Sequence, residues 1–160
     1  RMATSPFRSA SLAATAPGHT VSLEVASPTT VRPDEDAVRR VVTNLVRNAL
    51  QASVDGQSVT VDCASANDAT VQIVVTDRGQ GMTPDELSHV GEPFFTTRAP
   101  GRGTGLGLFV VHLHLERLGG TLRFESTPGE GTTAIVAWPI AGEDGRGPIF
   151  ESDVKVRDVA

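Results

Sequence analysis

Residues 93–108 read PFFTTRAPGRGTGLGL, and glycines stand at every second position, Gly101, Gly103, Gly105 and Gly107, directly before an apolar pattern of helical period. Glycine reaches positive φ and has no side chain, so such a run can fold its backbone close to a ligand and aim several N–H groups at it. A helix starting near Leu106 adds its positive N-terminal end, which suits an anion. The plainer reading is a flexible surface loop. Two familiar phosphate motifs are excluded. A Walker A loop has Lys and then Ser or Thr after its last glycine, where this chain has Leu108; a dinucleotide fingerprint has GxGxxG spacing after a strand, and this loop follows a Pro-bounded polar segment.

The chain has 160 residues, enough for one domain with its own core. Its formal charge of −5 supplies no basic field, which argues against nucleic acid or an anionic membrane as partner, so phosphate has to be held locally. The single cysteine, Cys63, has no internal disulfide partner and fits a reducing compartment. No apolar run approaches the roughly 20 residues of a membrane span, and the first residues lack a signal-peptide core. The expected location is cytoplasmic.

Before the glycine-rich stretch, residues 1–18 are small, polar and bounded by Pro and Gly, and are expected to be linker or appended residues outside the fold. Val21, Leu23 and Val25 alternate with polar residues as a strand. Pro33, Asp34, Glu35 and Asp36 mark a helix start, and Val38, Val41, Val42, Leu45, Val46, Ala49 and Leu50 follow at 3 and 4 spacing as one apolar stripe. Asn44 and Asn48, four apart, lie one turn from each other on the flank of that stripe. A local cap or bridge accounts for a lone Asn. For the pair, the alternative is that an amide oxygen ligates Mg²⁺, which takes oxygen donors and keeps few protein ligands beside phosphates. Val59, Val61, Cys63 and then Val71, Ile73, Val75 alternate around a turn at Asn67-Asp68, giving a hairpin. Its second strand runs into Asp77-Arg78-Gly79-Gln80-Gly81-Met82. A carboxylate closing an apolar strand needs a donor, and Gly79 and Gly81 thin the wall beside it, leaving room for a flat ligand with an exocyclic amine. An Asp-Gly turn is the simpler account.

Thr83-Pro84-Asp85-Glu86 predicts a short helix running to about Val90. The long segment after it suits a lid, with Arg98 and Arg102 placed to reach phosphates, or else simply solvated. Leu108, Val111, Leu115 and Leu118 predict a helix that Gly119-Gly120 ends; His112 and His114, two apart, are no metal pair. Leu122 and Phe124, a turn at 128–131, and residues 133–138 predict a closing hairpin. Residues 141–160 are expected to be a charged tail.

Taken in order, these motifs resemble the catalytic, ATP-binding domain of sensor histidine kinases, within the superfamily that includes DNA gyrase, mismatch-repair ATPases and ATP-dependent chaperones. NLVRNALQA at 44–52 resembles the N box, DRGQG at 77–81 the first glycine box, Pro93 to Phe95 the F box and 101–107 the second glycine box. Each is weak alone; four in register are specific. The resemblance implies an α/β two-layer sandwich over residues 19–140, a mixed and mostly antiparallel sheet of about five strands under three helices, with an ATP lid. It also implies ATP and Mg²⁺ as cofactors, with Asn48 on the metal, Asn44 and Asn48 as the catalytic pair, and Asp77 accepting from the adenine amine. The implied nucleotide contacts are Asn44, Asn48, Asp77, Gly79, Gly81, Met82, Arg98, Gly101, Arg102, Gly103, Thr104, Gly105, Leu106, Gly107, Leu108 and Thr132 or Thr133.

In the hydrolytic branches a glutamate base stands four residues before the metal-binding Asn, and the anti-sigma serine kinases resemble them there; this chain has Asn44. An amide takes no proton, so slow hydrolysis and transfer to a histidine are expected. None of His19, His89, His112 or His114 sits in a phosphoacceptor hairpin. The implied partners are a histidine-bearing dimerisation domain outside this chain and, through it, a response regulator. The fragment is expected to be monomeric, and its parent a homodimer that membrane anchoring would suit. A degenerate nucleotide-binding or docking module and an anti-sigma-factor-type serine kinase, which Asn44 disfavours, are the rival readings.

Overall fold

The computed structural model describes residues 12–16, 19–25, 35–67, 70–97 and 103–139. Arg98, Gly101, Arg102 and the 141–160 segment lie outside them.

The alternating apolar runs become strands and the 3.6-period stripes become helices. The strands are β1 (Leu12–Ala16), β2 (His19–Val25), β3 (Ser58–Asn67), β4 (Thr70–Asp77), β5 (Thr121–Thr127) and β6 (Gly131–Pro139); the helices are α1 (Glu35–Ala52), α2 (Pro84–His89) and α3 (Gly107–Leu118). They form one sheet in the order β1-β2-β3-β4-β6-β5, with β2 and β3 parallel and every other pair antiparallel. The mixed, mostly antiparallel sandwich expected from the sequence is therefore present, with six strands rather than about five. The extra strand is β1, in a segment expected to be linker. LAATA has no alternation of large apolar and polar residues, so period-2 reading passes over it; it joins the sheet through backbone pairing to β2, Leu12 opposite Leu23.

One face of the sheet carries the core. Val41, Leu45 and Ala49 of α1 and Val111 and Leu115 of α3 are buried against Val59, Val61, Val71, Ile73, Val75, Leu122, Ala134, Val136 and Trp138. Alternation along β4 puts Val71, Ile73, Val75 and Asp77 on this helix side. The sequence thus forces a charged residue into the helix-facing layer at the end of that strand. Asn44 and Asn48 stay half-buried on the flank of α1, as the stripe predicts.

α2 begins with a complete capping box: the Thr83 side chain accepts from Glu86 N–H at 3.2 Å, and Glu86 Oε2 accepts from Thr83 N–H at 2.8 Å. Thr83→Ala removes the cap and is expected to lower stability by about 1 kcal/mol, read as a drop in the urea midpoint at unchanged m-value. Among the described residues no helix is long and apolar enough to cross a membrane.

Candidate nucleotide site

Asp77 is 5 % exposed and is the one charged side chain buried among the described residues. Its Oδ1 accepts from Gly79 N–H at 2.8 Å, and Thr132, opposite it on β6, gives the carboxylate a second backbone hydrogen bond. Burial pushes the Asp77 carboxyl above the usual carboxylate range, and these two N–H groups draw it only part of the way back. A buried acceptor so placed has lone pairs left for a ligand donor.

The loop after Asp77 is held from three sides, twice by backbone and once by a side chain. Gln80 N–H donates to the Ala52 carbonyl at 3.2 Å, satisfying one of the carbonyls that the end of α1 leaves open. Gly129 N–H donates to Gln80 O at 2.7 Å, and Met82 N–H to Ser126 Oγ at 2.9 Å. Ser126 also donates to Gly131 O at 2.9 Å and lies 2.8 Å from Thr132 Oγ1. This geometry corrects the expected role of the glycines. A Cβ at Gly79 would stand 2.2 Å from Ala52 O, and one at Gly81, where φ is +66°, would stand 2.0 Å from Thr127 O. The space that the missing side chains vacate is filled by the protein's own backbone rather than left for a ligand, and that close approach fixes the Asp77 carboxylate in place.

Across the site, Asn44 Nδ2 donates to Arg40 O at 2.9 Å, the local bond that a mid-helix Asn is prone to make. That bond leaves its Oδ1 turned toward α3. A Cβ at Gly107 would lie 3.4 Å from Asn44 Oδ1 and 3.8 Å from Asn48 Oδ1, so both amides face the first turn of α3. That helix has Leu106 as its N-cap and no side-chain cap hydrogen bond, and its first-turn N–H groups have no acceptor within the helix. The two amide oxygens are hard donors of the kind a small divalent ion takes, and the electropositive helix end beside them suits the phosphates such an ion accompanies. Among the described residues no group of three or more His, Cys, Asp or Glu forms a metal cage by itself.

The glycine-rich segment is tied at its base to the segment before it. Phe94 N–H donates to Gly105 O at 3.1 Å, and a Cβ at Gly105, where φ is +66°, would lie 2.4 Å from the Phe94 carbonyl carbon. Phe94 itself has φ +66° and is 74 % exposed, the one positive-φ residue other than glycine among those described.

A cavity of about 1130 Å³ joins these parts. Of the residues singled out in the sequence, Asn44, Asn48, Asp77, Gly81, Met82, Gly103, Thr104, Gly105, Leu106, Gly107, Leu108 and Thr132 line it. Thr133 does not: neighbours on a strand point to opposite faces, and Thr133 Oγ1 lies 3.4 Å from Thr76 Oγ1 on the side away from the helices. Gly79 acts from behind, through its N–H on Asp77. The sequence reading missed Ser126, whose role depends on cross-strand register, and the wall at Val90, Gly91, Glu92, Thr96 and Thr97.

Known proteins share this fold. Residues 33–142 match the family described as histidine kinase-, DNA gyrase B- and HSP90-like ATPase. Sensor histidine kinase ZraS of Escherichia coli K12 is 41% identical over 110 residues, covering 69% of this chain and 23% of that protein. Histidine protein kinase DivJ of Caulobacter vibrioides is 40% identical over 115 residues, covering 69% of this chain and 19% of that protein. The chain therefore spans about a quarter or less of these relatives. Among solved structures, the mycobacterial sensor histidine kinase MprB superposes with a TM-score of 0.68 at 29% identity, over 76% of this chain and 82% of that one. Full-length ShkA in complex with AMPPNP superposes with a TM-score of 0.68 at 27% identity, over 76% of this chain and 26% of that one. In sequence and in fold, the chain belongs to the family of histidine kinase-, DNA gyrase B- and HSP90-like ATPases.

Proposed function

We propose that residues 19–140 are the ATP-binding catalytic domain of a sensor histidine kinase, which positions ATP for transfer of its γ-phosphate to a histidine on a dimerisation domain outside this chain. The observation that carries this reading is the convergence of the buried Asp77 carboxylate, the Asn44–Asn48 pair and the open N-terminus of α3 on one cavity. Asp77 accepts from the adenine amine at one end. At the other, the first turn of α3 and the backbone of residues 103–107 face the phosphates. Asn48, with Asn44 beside it, would hold Mg²⁺, which neutralises charge on the phosphates and orients them. Arg98, Gly101 and Arg102 belong to the same proposal as further phosphate contacts.

The side-chain chemistry favours transfer over hydrolysis. A water nucleophile needs a base, and the residue one turn before Asn48 is an amide whose nitrogen is spent on the Arg40 carbonyl. Neither nitrogen nor oxygen of an amide takes a proton at neutral pH. Catalysis by such a site rests on positioning and charge stabilisation. The parent protein would supply the phosphoacceptor histidine and a response regulator, and would act as a homodimer in a cytoplasmic setting.

Calorimetric titration of the chain with a non-hydrolysable ATP analogue, with and without Mg²⁺, tests the reading beside a long-incubation hydrolysis assay. Binding that strengthens with Mg²⁺ while turnover stays negligible is expected. Absence of binding would favour a docking module that has lost its nucleotide, and brisk hydrolysis would defeat the argument from Asn44.

A further inference from the structure

The sheet has a second face, on the side away from α1 and α3. Val61, Ile73, Val75, Ala134, Val136 and Leu122 bury toward the helices, so their neighbours along each strand point the other way. Strand pairing lines those neighbours up in rows. Arg123 of β5 stands opposite Ile135 of β6, Ile135 opposite Val74 of β4, and Val74 opposite Asp62 of β3. Glu125, Thr133, Thr76 and Thr60 form the next row in the same order. The first row ends in a cation on β5 and an anion on β3, with two apolar side chains between them, and all four are partly exposed. Arg123 is incompletely paired: its Nη2 is 3.3 Å from Glu125 Oε1 on its own strand, and its Nε–H is buried with no acceptor.

We propose that this face docks a second copy of the chain, sheet against sheet, about a two-fold axis that runs along the strands between β4 and β6. The order of charges selects that occupant. Such a rotation reverses each row, so Arg123 of either copy meets Asp62 of the other and Ile135 meets Val74, the reciprocal pairing that an isologous contact demands. Stacked sheets lie about 10 Å apart, a gap that a long Arg side chain facing a short Asp can bridge. Asp62 then supplies the acceptor that the Arg123 Nε–H lacks, in a charge-assisted bond. In the second row Glu125 falls over Thr60, a hydroxyl donor, and no like charges meet. With strands about 4.8 Å apart and a rise of about 3.4 Å per residue, four strands of about seven residues offer about 450 Å² per copy. That is well under the roughly 800 Å² per partner of a standard interface, so the contact is weak and a dilute chain stays monomeric. Both nucleotide cavities, on the helix side, remain open in the pair. A dimerisation domain that tethers two copies, which rests on the function proposed above, would raise their effective concentration toward millimolar and favour the contact.

Sedimentation equilibrium of the full chain, carried to millimolar concentration, should show a monomer–dimer equilibrium. Arg123→Glu sets an acid opposite Asp62, and Asp62→Arg sets two guanidinium groups together. Each substitution alone is expected to weaken self-association at least about tenfold, because like charges then face each other twice. An equimolar mixture of the two variants restores opposite charges at both facing pairs and should associate as the parent chain does. Cooperative urea unfolding of each variant shows that it is folded, a readout independent of nucleotide. A chain that is monomeric at every concentration, parent-like association of either folded variant, or a mixture that fails to associate would overturn the proposal. If the monomeric chain also became open to proteolysis within 141–160 only in the two variants, that segment rather than a second copy would be the occupant.

Discussion

Asp77→Asn is expected to yield a folded chain that no longer prefers ATP to GTP. The carboxylate only accepts; in the proposed complex an adenine amine donates to it, whereas guanine would present a carbonyl oxygen at the same place and meet repulsion. An Asn side chain offers both a donor and an acceptor, so the discrimination disappears. The loss for ATP is that of one charge-assisted hydrogen bond in a buried setting, about 1.5–3 kcal/mol, or roughly ten- to a hundredfold in Kd. Competition between ATP and GTP for the chain measures it, and an unchanged preference would remove Asp77 from the base.

The same substitution should separate binding from stability. Because burial raises the Asp77 carboxyl, the folded chain binds its proton more tightly than the unfolded chain does. This contribution to stability is full below the unfolded value near 3.8, is lost as pH rises through the raised folded value, and stays lost above it. Asn has no such titration and keeps an acceptor for Gly79 N–H. At neutral pH, Asp77→Asn without nucleotide should therefore be no less stable than the parent, and its melting curve should lack the acid-side slope that Asp77 gives. Nucleotide affinity in the parent should in turn fall on acidification at a pH above the ordinary carboxylate range, because a protonated Asp77 loses acceptor capacity.

Much of this site was legible from periodicity. The helical stripe placed Asn44 and Asn48 on one flank of α1 before any partner was known, and the alternation of β4 placed Asp77 on the helix side. Less legible was anything that register or close approach decides. That Thr132 rather than Thr133 faces the cavity depends on Asp77 pairing opposite Thr132, a long-range fact with no local signature. That Ser126 braces Met82 depends on the same hairpin. Gly79 and Gly81 were recognised as necessary but for the wrong neighbour, since sequence shows the absence of a side chain and not what fills its place. β1 was missed because Ala and Thr carry no amphipathic pattern, and its pairing is made by backbone.

Asn48→Ala is expected to weaken nucleotide binding roughly 10–100-fold when Mg²⁺ is present and little when it is absent. A residue that ligates a metal is worth at least as much as the outer groups that orient such ligands, and those cost 10–100-fold in metal affinity when removed. Asn48 is half-buried on the flank of the stripe, and Ala is the better helix former, so α1 should survive the change. Asn44→Ala supplies the contrast. Its Nδ2 is bonded to Arg40 O, its Oδ1 lies beside the first turn of α3, and its loss should reduce affinity less steeply with Mg²⁺ than that of Asn48. Calorimetry of both variants at matched ionic strength, with Mg²⁺ and with a chelator, distinguishes the two roles. Equal losses for Asn48→Ala in both conditions would take Asn48 off the metal and leave it as a direct phosphate contact. A larger Mg²⁺-dependent loss at Asn44 would exchange their roles, while leaving the proposed placement of the nucleotide between Asp77 and the first turn of α3 untouched.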